Sequence, residues 1–169
     1  FESFHKRILQ VISNKMDQTK HEIKFSVELK FDGVAISLLY VDGNLNYAAT
    51  RGDGRIGENV TSNVLTIPEV PKKINFDDSK QINFSPNLLE VRGEIFFTKK
   101  DFEKFNEDQK NKGLKVFSNP RNAAAGSIRL LNSAAVSERP LKFFAHSFGI
   151  SDPDLSKKFD QHSEVLNWF

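Results

Sequence analysis

Ser26-Val-Glu-Leu-Lys-Phe-Asp-Gly-Val34 is the stretch on which the reading of this chain turns. Alternation from Lys24 to Asp32 predicts a β-strand with Val27, Leu29 and Phe31 on one side and Glu28, Lys30 and Asp32 on the other. Neighbours on one face of a strand stand roughly 6.7 Å apart. A single lysine then sits between two carboxylates on the polar face. Mixed charge on the wet side of a strand is the commonest origin of such a run, so the pattern acquires chemical meaning only from its company along the chain.

Outward from this stretch, strands are predicted over 23–30 and 34–41, separated by a tight Asp32-Gly33 turn. Asp42-Gly43 then turns the chain into a third strand over 45–51, giving a three-stranded antiparallel meander. Further strands are expected over 88–97 and 141–148. Phe4, Ile8, Leu9, Val11, Ile12 and Met16 form the stripe of a helix over 1–16. Thr98-Lys-Lys-Asp101 opens another helix like a capping box, with Phe97 and Phe102 at staple positions and Gly113 as its stop. Asn119 followed by Pro120 caps a helix reaching about residue 131, and a last helix is expected over 153–169. Residues 69–86 read as the one long loop. The fold class that follows is α+β, mostly antiparallel sheet flanked by helices.

At 169 residues, 38% hydrophobic and 27% charged, the chain has material for one ordinary core. Sixteen Phe against two Tyr and one Trp predict an aromatic interior with few hydroxyls to satisfy. The absence of Cys excludes disulfides and thiolate metal sites within these residues and fits a reducing compartment. No apolar run reaches about 18 residues and no leader-like segment is evident, so a soluble, cytoplasmic, monomeric protein with no membrane association is expected. Net charge is only +2, but between Lys99 and Lys142 ten Lys or Arg face five acids. A nucleic-acid backbone is the functional reading of that excess, and a solvated helix face is the competing one for Lys99, Lys100, Lys104, Lys110 and Lys112.

Four further clusters carry chemistry. Thr50-Arg-Gly-Asp-Gly-Arg-Ile-Gly-Glu58 places three glycines in six positions, which suits backbone N–H groups approaching a ligand while Arg51 offers a planar fork to phosphate or ribose oxygens. A plain hairpin loop is the alternative. In Val91-Arg-Gly-Glu94, Arg92 and Glu94 share a strand face, where a cross-strand ion pair would serve equally. Asn119-Pro-Arg-Asn-Ala-Ala-Ala-Gly-Ser-Ile-Arg129 puts Arg121 in the first turn of a helix, where free N–H groups and the dipole already favour an anion. Its alanines and Gly126 allow close packing, and a helical Gly costs about 1 kcal/mol against Ala, so something must compensate. Lys142-Phe-Phe-Ala-His-Ser-Phe-Gly149 reads as a buried strand with His146 on its edge, where a hydrogen-bonded structural role is the preferred reading over catalysis.

Glu-Leu-Lys-Phe-Asp-Gly, Thr-Arg-Gly-Asp-Gly, Val-Arg-Gly-Glu and Asn-Pro-Arg-Asn-Ala-Ala-Ala-Gly-Ser-Ile-Arg resemble, in order and spacing, the adenylation domain of bacterial NAD-dependent DNA ligases over residues 4–149. The Lys-x-Asp-Gly element alone marks only the superfamily shared with ATP-dependent ligases and capping guanylyltransferases. The resemblance implies the nucleotidyltransferase fold of that superfamily, with Lys30 as the residue that becomes AMP-modified. It implies Glu28 at the adenine amino edge, Asp32, Arg51 and Glu94 around the ribose and reacting phosphate, and Arg121 and Arg129 on phosphates of the nicotinamide mononucleotide leaving group or of nicked DNA. NAD (as NAD or AMP) and nicked duplex DNA are the implied partners, in replication and repair.

A lysine in water, with pKa near 10.4, is uncharged in only about one molecule in 2,500 at pH 7, a deficit of roughly 4.6 kcal/mol for a nucleophile. Nearby carboxylates favour the ammonium, so desolvation, Arg51 and Mg²⁺ on the phosphate are expected to oppose them. The chain departs from the family in lacking Asp-Gly-Val-Val-Val-Lys-like and Ala-x-x-Tyr-Lys-like segments. Residues 1–169 are therefore expected to be a partial adenylation domain, without the N-terminal nicotinamide-recognition module, the oligonucleotide-binding fold or the zinc and helix-hairpin-helix modules, and not competent alone. The alternatives are an ATP- or GTP-dependent nucleotidyltransferase of the same fold and a non-catalytic nucleic-acid-binding module.

Overall fold

The computed structural model describes residues 1–13, 25–76, 86–152 and 154–169. Alternating apolar residues draw four strands, β1 (Val34–Val41), β2 (Asn44–Thr50), β3 (Leu88–Phe96) and β4 (Lys142–Asp152), into one antiparallel sheet in the order β2-β1-β3-β4. The helices described are α1 (Glu2–Ser13), α2 (Thr61–Val64), α3 (Lys99–Asn111), α4 (Pro120–Ile128), α5 (Ser133–Ser137) and α6 (His162–Trp168), with a 3₁₀ turn at Leu155–Lys158. The α+β class is as expected. None of these helices is long and apolar enough to cross a membrane.

β1 and β2 join through Asp42-Gly43, both at positive φ (48° and 75°), as a two-residue hairpin of this kind requires. β3 lies along the other edge of β1, pairing Val34 with Ile95 and Val41 with Leu88. The meander expected from 23–30 does not form, because β2 and β3 occupy both edges of β1 and leave no ladder for another strand. Ile23 and Lys24 lie outside the described residues. From residue 25 to 32 the chain is irregular, and Val27 and Leu29, expected to share the apolar side of a strand, are 88% and 80% exposed. Asp32-Gly33 consequently is not a hairpin turn but the entry into β1.

Local capping chemistry sets the helix starts. Thr98 accepts the Asp101 amide at 3.1 Å and Asn119 accepts the Asn122 amide at 2.8 Å, with Pro120 in the first turn of α4. α3 ends before Gly113, whose φ is 66°. α4 stops at Ile128 rather than near residue 131, because Asn132 caps the separate helix α5. The expected helix over 153–169 is divided: Asp154 caps a 3₁₀ turn, and Gln161 with Glu164 forms a capping box that starts α6 anew. Pro153, residues 14–16 of the first expected helix and residues 77–85 of the expected loop lie outside the described residues.

One cluster of buried side chains joins sheet and helices. Ile36, Leu38 and Tyr40 from β1 meet Leu89, Val91 and Ile95 from β3, and Ala123, Ala124 and Ile128 from α4 close over them. The small face of α4 is thus used for close packing on the sheet. Gly126 lies against Phe117, where an added Cβ would stand 2.9 Å from the ring, which accounts for a glycine in that helix. Leu38, on an interior strand and fully buried, measures the core. Leu38→Ala is expected to destabilise the chain by about 2–5 kcal/mol, read from the urea midpoint, and a loss below 1 kcal/mol would show that this cluster is not the folding core.

Candidate active site

β3 sends alternate side chains to opposite sides of the sheet. Leu89, Val91 and Ile95 enter the core, while Glu90, Arg92, Glu94 and Phe96 stand on the other face. Phe144 and His146 of β4 border Glu94 there. A cleft of about 350 Å³ opens on this side, lined by Glu28, Lys30, Glu94, His146, Ser147 and His162, with Leu29, Phe31 and Phe144 as its apolar walls.

The segment carrying Lys30 has no strand ladder, yet it is pinned immediately downstream. Phe31 packs in tilted contact against Phe96 at 4.6 Å and Phe144 at 4.3 Å between ring centroids. The Gly33 N–H donates to Glu94 Oε1 at 3.2 Å. No other residue fits at position 33, since a Cβ there would lie 2.0 Å from the Ile95 carbonyl oxygen. Lys30, an exposed side chain, is therefore held one residue from an aromatic anchor at the mouth of the cleft.

Of the residues singled out in the sequence, the structure brings Glu28, Lys30 and Glu94 together around one cleft. Asp32 turns away to meet Arg121 Nη1 at 3.3 Å, both side chains well exposed, so the first turn of α4 and the lysine segment are tied at the surface. Arg129 pairs with Glu58 instead of projecting freely. Arg51 does not line the cleft; its side chain is exposed and its amide donates to the Ala35 carbonyl at 3.0 Å.

The glycine-rich loop differs from its expected role as a cradle. Asp53 accepts the amides of Arg55 and Ile56, each at 2.8 Å, and the Gly54 amide donates to the Arg51 carbonyl, so these N–H groups are satisfied inside the loop. The Ile56 and Arg55 amides hold the Asp53 carboxyl below the usual range. Arg92 makes its ion pair with Glu90 two residues away on its own strand, at 2.9 Å, rather than with Glu94 or across the ladder.

His146 has the hydrogen-bonding neighbour expected of it, its Nδ1 lying 3.0 Å from Ser147 Oγ, and it also lines the cleft. His162 was not legible as a site residue, because nothing local in the sequence relates it to Glu28, whose Oε1 it reaches at 3.1 Å. Among the described residues no three His, Asp or Glu side chains gather as ligands for a cation. What the cleft offers is one primary amine, acceptor carboxylates on either side and aromatic walls, a set suited to a nucleoside phosphate and an attacking amine.

The comparisons match that chemistry. The whole chain, residues 1–169, fits the family described as the NAD-dependent DNA ligase adenylation domain, and it belongs to that family. A DNA ligase of Roseobacter denitrificans is 47% identical over 147 residues, covering 87% of this chain and 20% of that protein. The chain thus spans about one fifth of the length of the curated relative it matches.

Glu90 supplies a test of the polar face. Burial pushes its carboxyl up, but hydrogen bonds from Arg92, Ser37 and the Ile150 amide outweigh burial and hold it below the ordinary value of 4.5. A carboxylate lowered in the folded state adds stability above its unfolded pKa and loses it as pH falls through the folded value. Glu90→Gln is expected to flatten the fall of stability below pH 4.5, followed by urea midpoints from about pH 6 to about pH 3. Parallel acid limbs in the two proteins would remove Glu90 from the account.

Proposed function

We propose that this chain houses the nucleotide-loading step of an NAD-dependent DNA ligase, on the nucleotidyltransferase fold of that superfamily. The observation that carries the reading is the convergence of Lys30, Glu28 and Glu94 on one cleft in a chain of this family. In the step, neutral Lys30 Nζ attacks the α-phosphorus of NAD. An N–P bond forms, the P–O bond to the bridging oxygen breaks, the lysine proton passes to solvent, and nicotinamide mononucleotide leaves with the oxygen it gains. In-line geometry and charge neutralisation supply most of the acceleration in such transfers.

Each residue has a part in this reading. Glu28 accepts from the amino edge of adenine, and Glu94, tied to the Gly33 amide, borders the ribose. Asp32 and Arg51 stand outside the cleft lining, and the family resemblance alone assigns them to the reacting phosphate. Arg121 and Arg129 serve phosphates of the leaving group or of nicked duplex DNA. Mg²⁺ belongs to the proposal as a cation that substrate phosphates would chiefly hold, with the cleft-lining carboxylate Glu94 able to supply an oxygen, and when bound it would neutralise phosphate charge. Sealing of nicks in replication and repair is assigned to the complete gene product in the cytoplasm, and residues 1–169 are part of its adenylation domain.

Lys30→Ala in the complete gene product is expected to abolish the adenylyl adduct seen by mass spectrometry after incubation with NAD. Lys30→Arg should fail equally, since a guanidinium stays protonated. An adduct surviving either substitution would refute the assignment. Arg129→Ala is expected to weaken binding to a nicked duplex and to reduce the slope of log K against log salt by about one, as loss of one phosphate contact requires. An unchanged slope would take Arg129 off the DNA.

A further inference from the structure

Glu28 lies in a segment with no backbone ladder, between side chains left in solvent, so its carboxylate has no orientation from secondary structure. Among the described residues two side chains nevertheless hold it. Ser26 Oγ donates to Oε1 at 3.1 Å, and His162 Nε2 reaches the same oxygen at 3.1 Å. The first contact is local, while the second comes from α6 at the far end of the chain. Both engage Oε1, which leaves Oε2 outside either contact and able to accept from a ligand.

His162 is itself firmly delivered. It opens α6 directly after Gln161, whose capping box with Glu164 does not involve the imidazole. Val165 is buried, and Trp168 stacks over Phe76 at 6.4 Å and meets Phe159 at 5.8 Å, so the helix is fixed by packing one to two turns further on. The imidazole lines the same cleft as Lys30, Glu94 and His146. An imidazole donating to a carboxylate makes a charge-assisted bond when protonated and remains a donor as the neutral Nε2–H tautomer.

We propose that His162 is a positioning residue for nucleobase recognition: it fixes Glu28 so that the second carboxylate oxygen faces the exocyclic amino group of the bound base. An unheld glutamate must surrender its rotamer freedom when ligand binds, and that ordering lowers affinity. With Oε1 already anchored, the cost is met in the free protein. The discrimination sharpens as well, because an acceptor held in place rejects a base that presents a carbonyl at the same position. This inference rests on Glu28 being the contact to the base edge.

The test is steady-state sealing of a nicked duplex by the complete gene product, with NAD or with nicotinamide hypoxanthine dinucleotide, in which a carbonyl replaces the adenine amino group. His162→Ala is expected to raise KM for NAD about tenfold with kcat within about twofold, and to lower the preference for NAD over the analogue by about the same tenfold factor, as loss of one charge-assisted hydrogen bond predicts. His162→Gln, which keeps an N–H donor, should recover most of both. The Glu28→Ala/His162→Ala double variant should be no worse than Glu28→Ala, because the histidine acts through the glutamate. Unchanged KM and preference in His162→Ala, or additive losses in the double variant, would overturn the proposal. If Glu28→Ala abolishes the preference while His162→Ala leaves it intact, only the positioning role falls; if Glu28→Ala leaves the preference intact, the base-edge reading falls and the inference with it.

Discussion

Everything at the cleft depends on the two-residue period of β3. One strand carries Leu89, Val91 and Ile95 into the core and Glu90, Arg92, Glu94 and Phe96 to the opposite face. A slip of one residue would bury the charges and expose the aliphatics, so burial of the core fixes the register of the polar face. β3 is also an interior strand, paired on both sides by β1 and β4. The position of Glu94 is therefore set by hydrophobic packing on the far side of the sheet.

From that fixed face the segment carrying Lys30 is hung by its side chains. Phe31 is wedged against Phe96 of β3 and Phe144 of β4, and the Gly33 amide reaches Glu94. Aromatic contacts of this kind contribute about 0.5–1.5 kcal/mol beyond area, enough to hold a short irregular segment without a ladder. A lysine in a regular strand points at a fixed angle to the sheet, whereas one in an irregular segment anchored on one side is less constrained, and the proposed loading step would use that freedom to bring Lys30 toward a phosphorus atom. The second attachment, from His162 to Glu28, then limits that freedom on the opposite side of Lys30.

How much of this was legible follows from how local each cause is. Helix starts at Thr98 and Asn119 were readable because a cap is made within three residues. The Asp42-Gly43 hairpin was readable for the same reason. The strand assigned to 23–30 was not, although its alternation is real among the residues described. Alternation records which side chains suit a pleated surface, but a strand also needs a free edge, and β1 gives both of its edges to β2 and β3. The grouping of Glu28, Lys30 and Glu94 was legible through the family resemblance, whereas the absence of Arg51 from the cleft lining depends on the Asp53-closed loop that carries it. The reach of His162 depends on where α6 docks, which no local pattern encodes.

The basic half of the chain illustrates a last point about where charge is kept. Arg121 and Arg129 are both engaged, with Asp32 and Glu58, yet each pair lies in solvent with more than half of every side chain exposed. Exposed pairs contribute only about 0–1 kcal/mol, because water and salt screen them. A phosphate offers the guanidinium a bidentate, more highly charged partner and gains from release of counterions, so it displaces a surface carboxylate at little cost. The Glu90–Arg92 pair is built differently: its carboxylate is largely buried and also held by Ser37 and the Ile150 amide. Breaking it would strand a partly desolvated charge, which costs far more than parting a surface pair. The contrast separates a pair that maintains the sheet face from surface pairs whose arginines the proposed function assigns to phosphates.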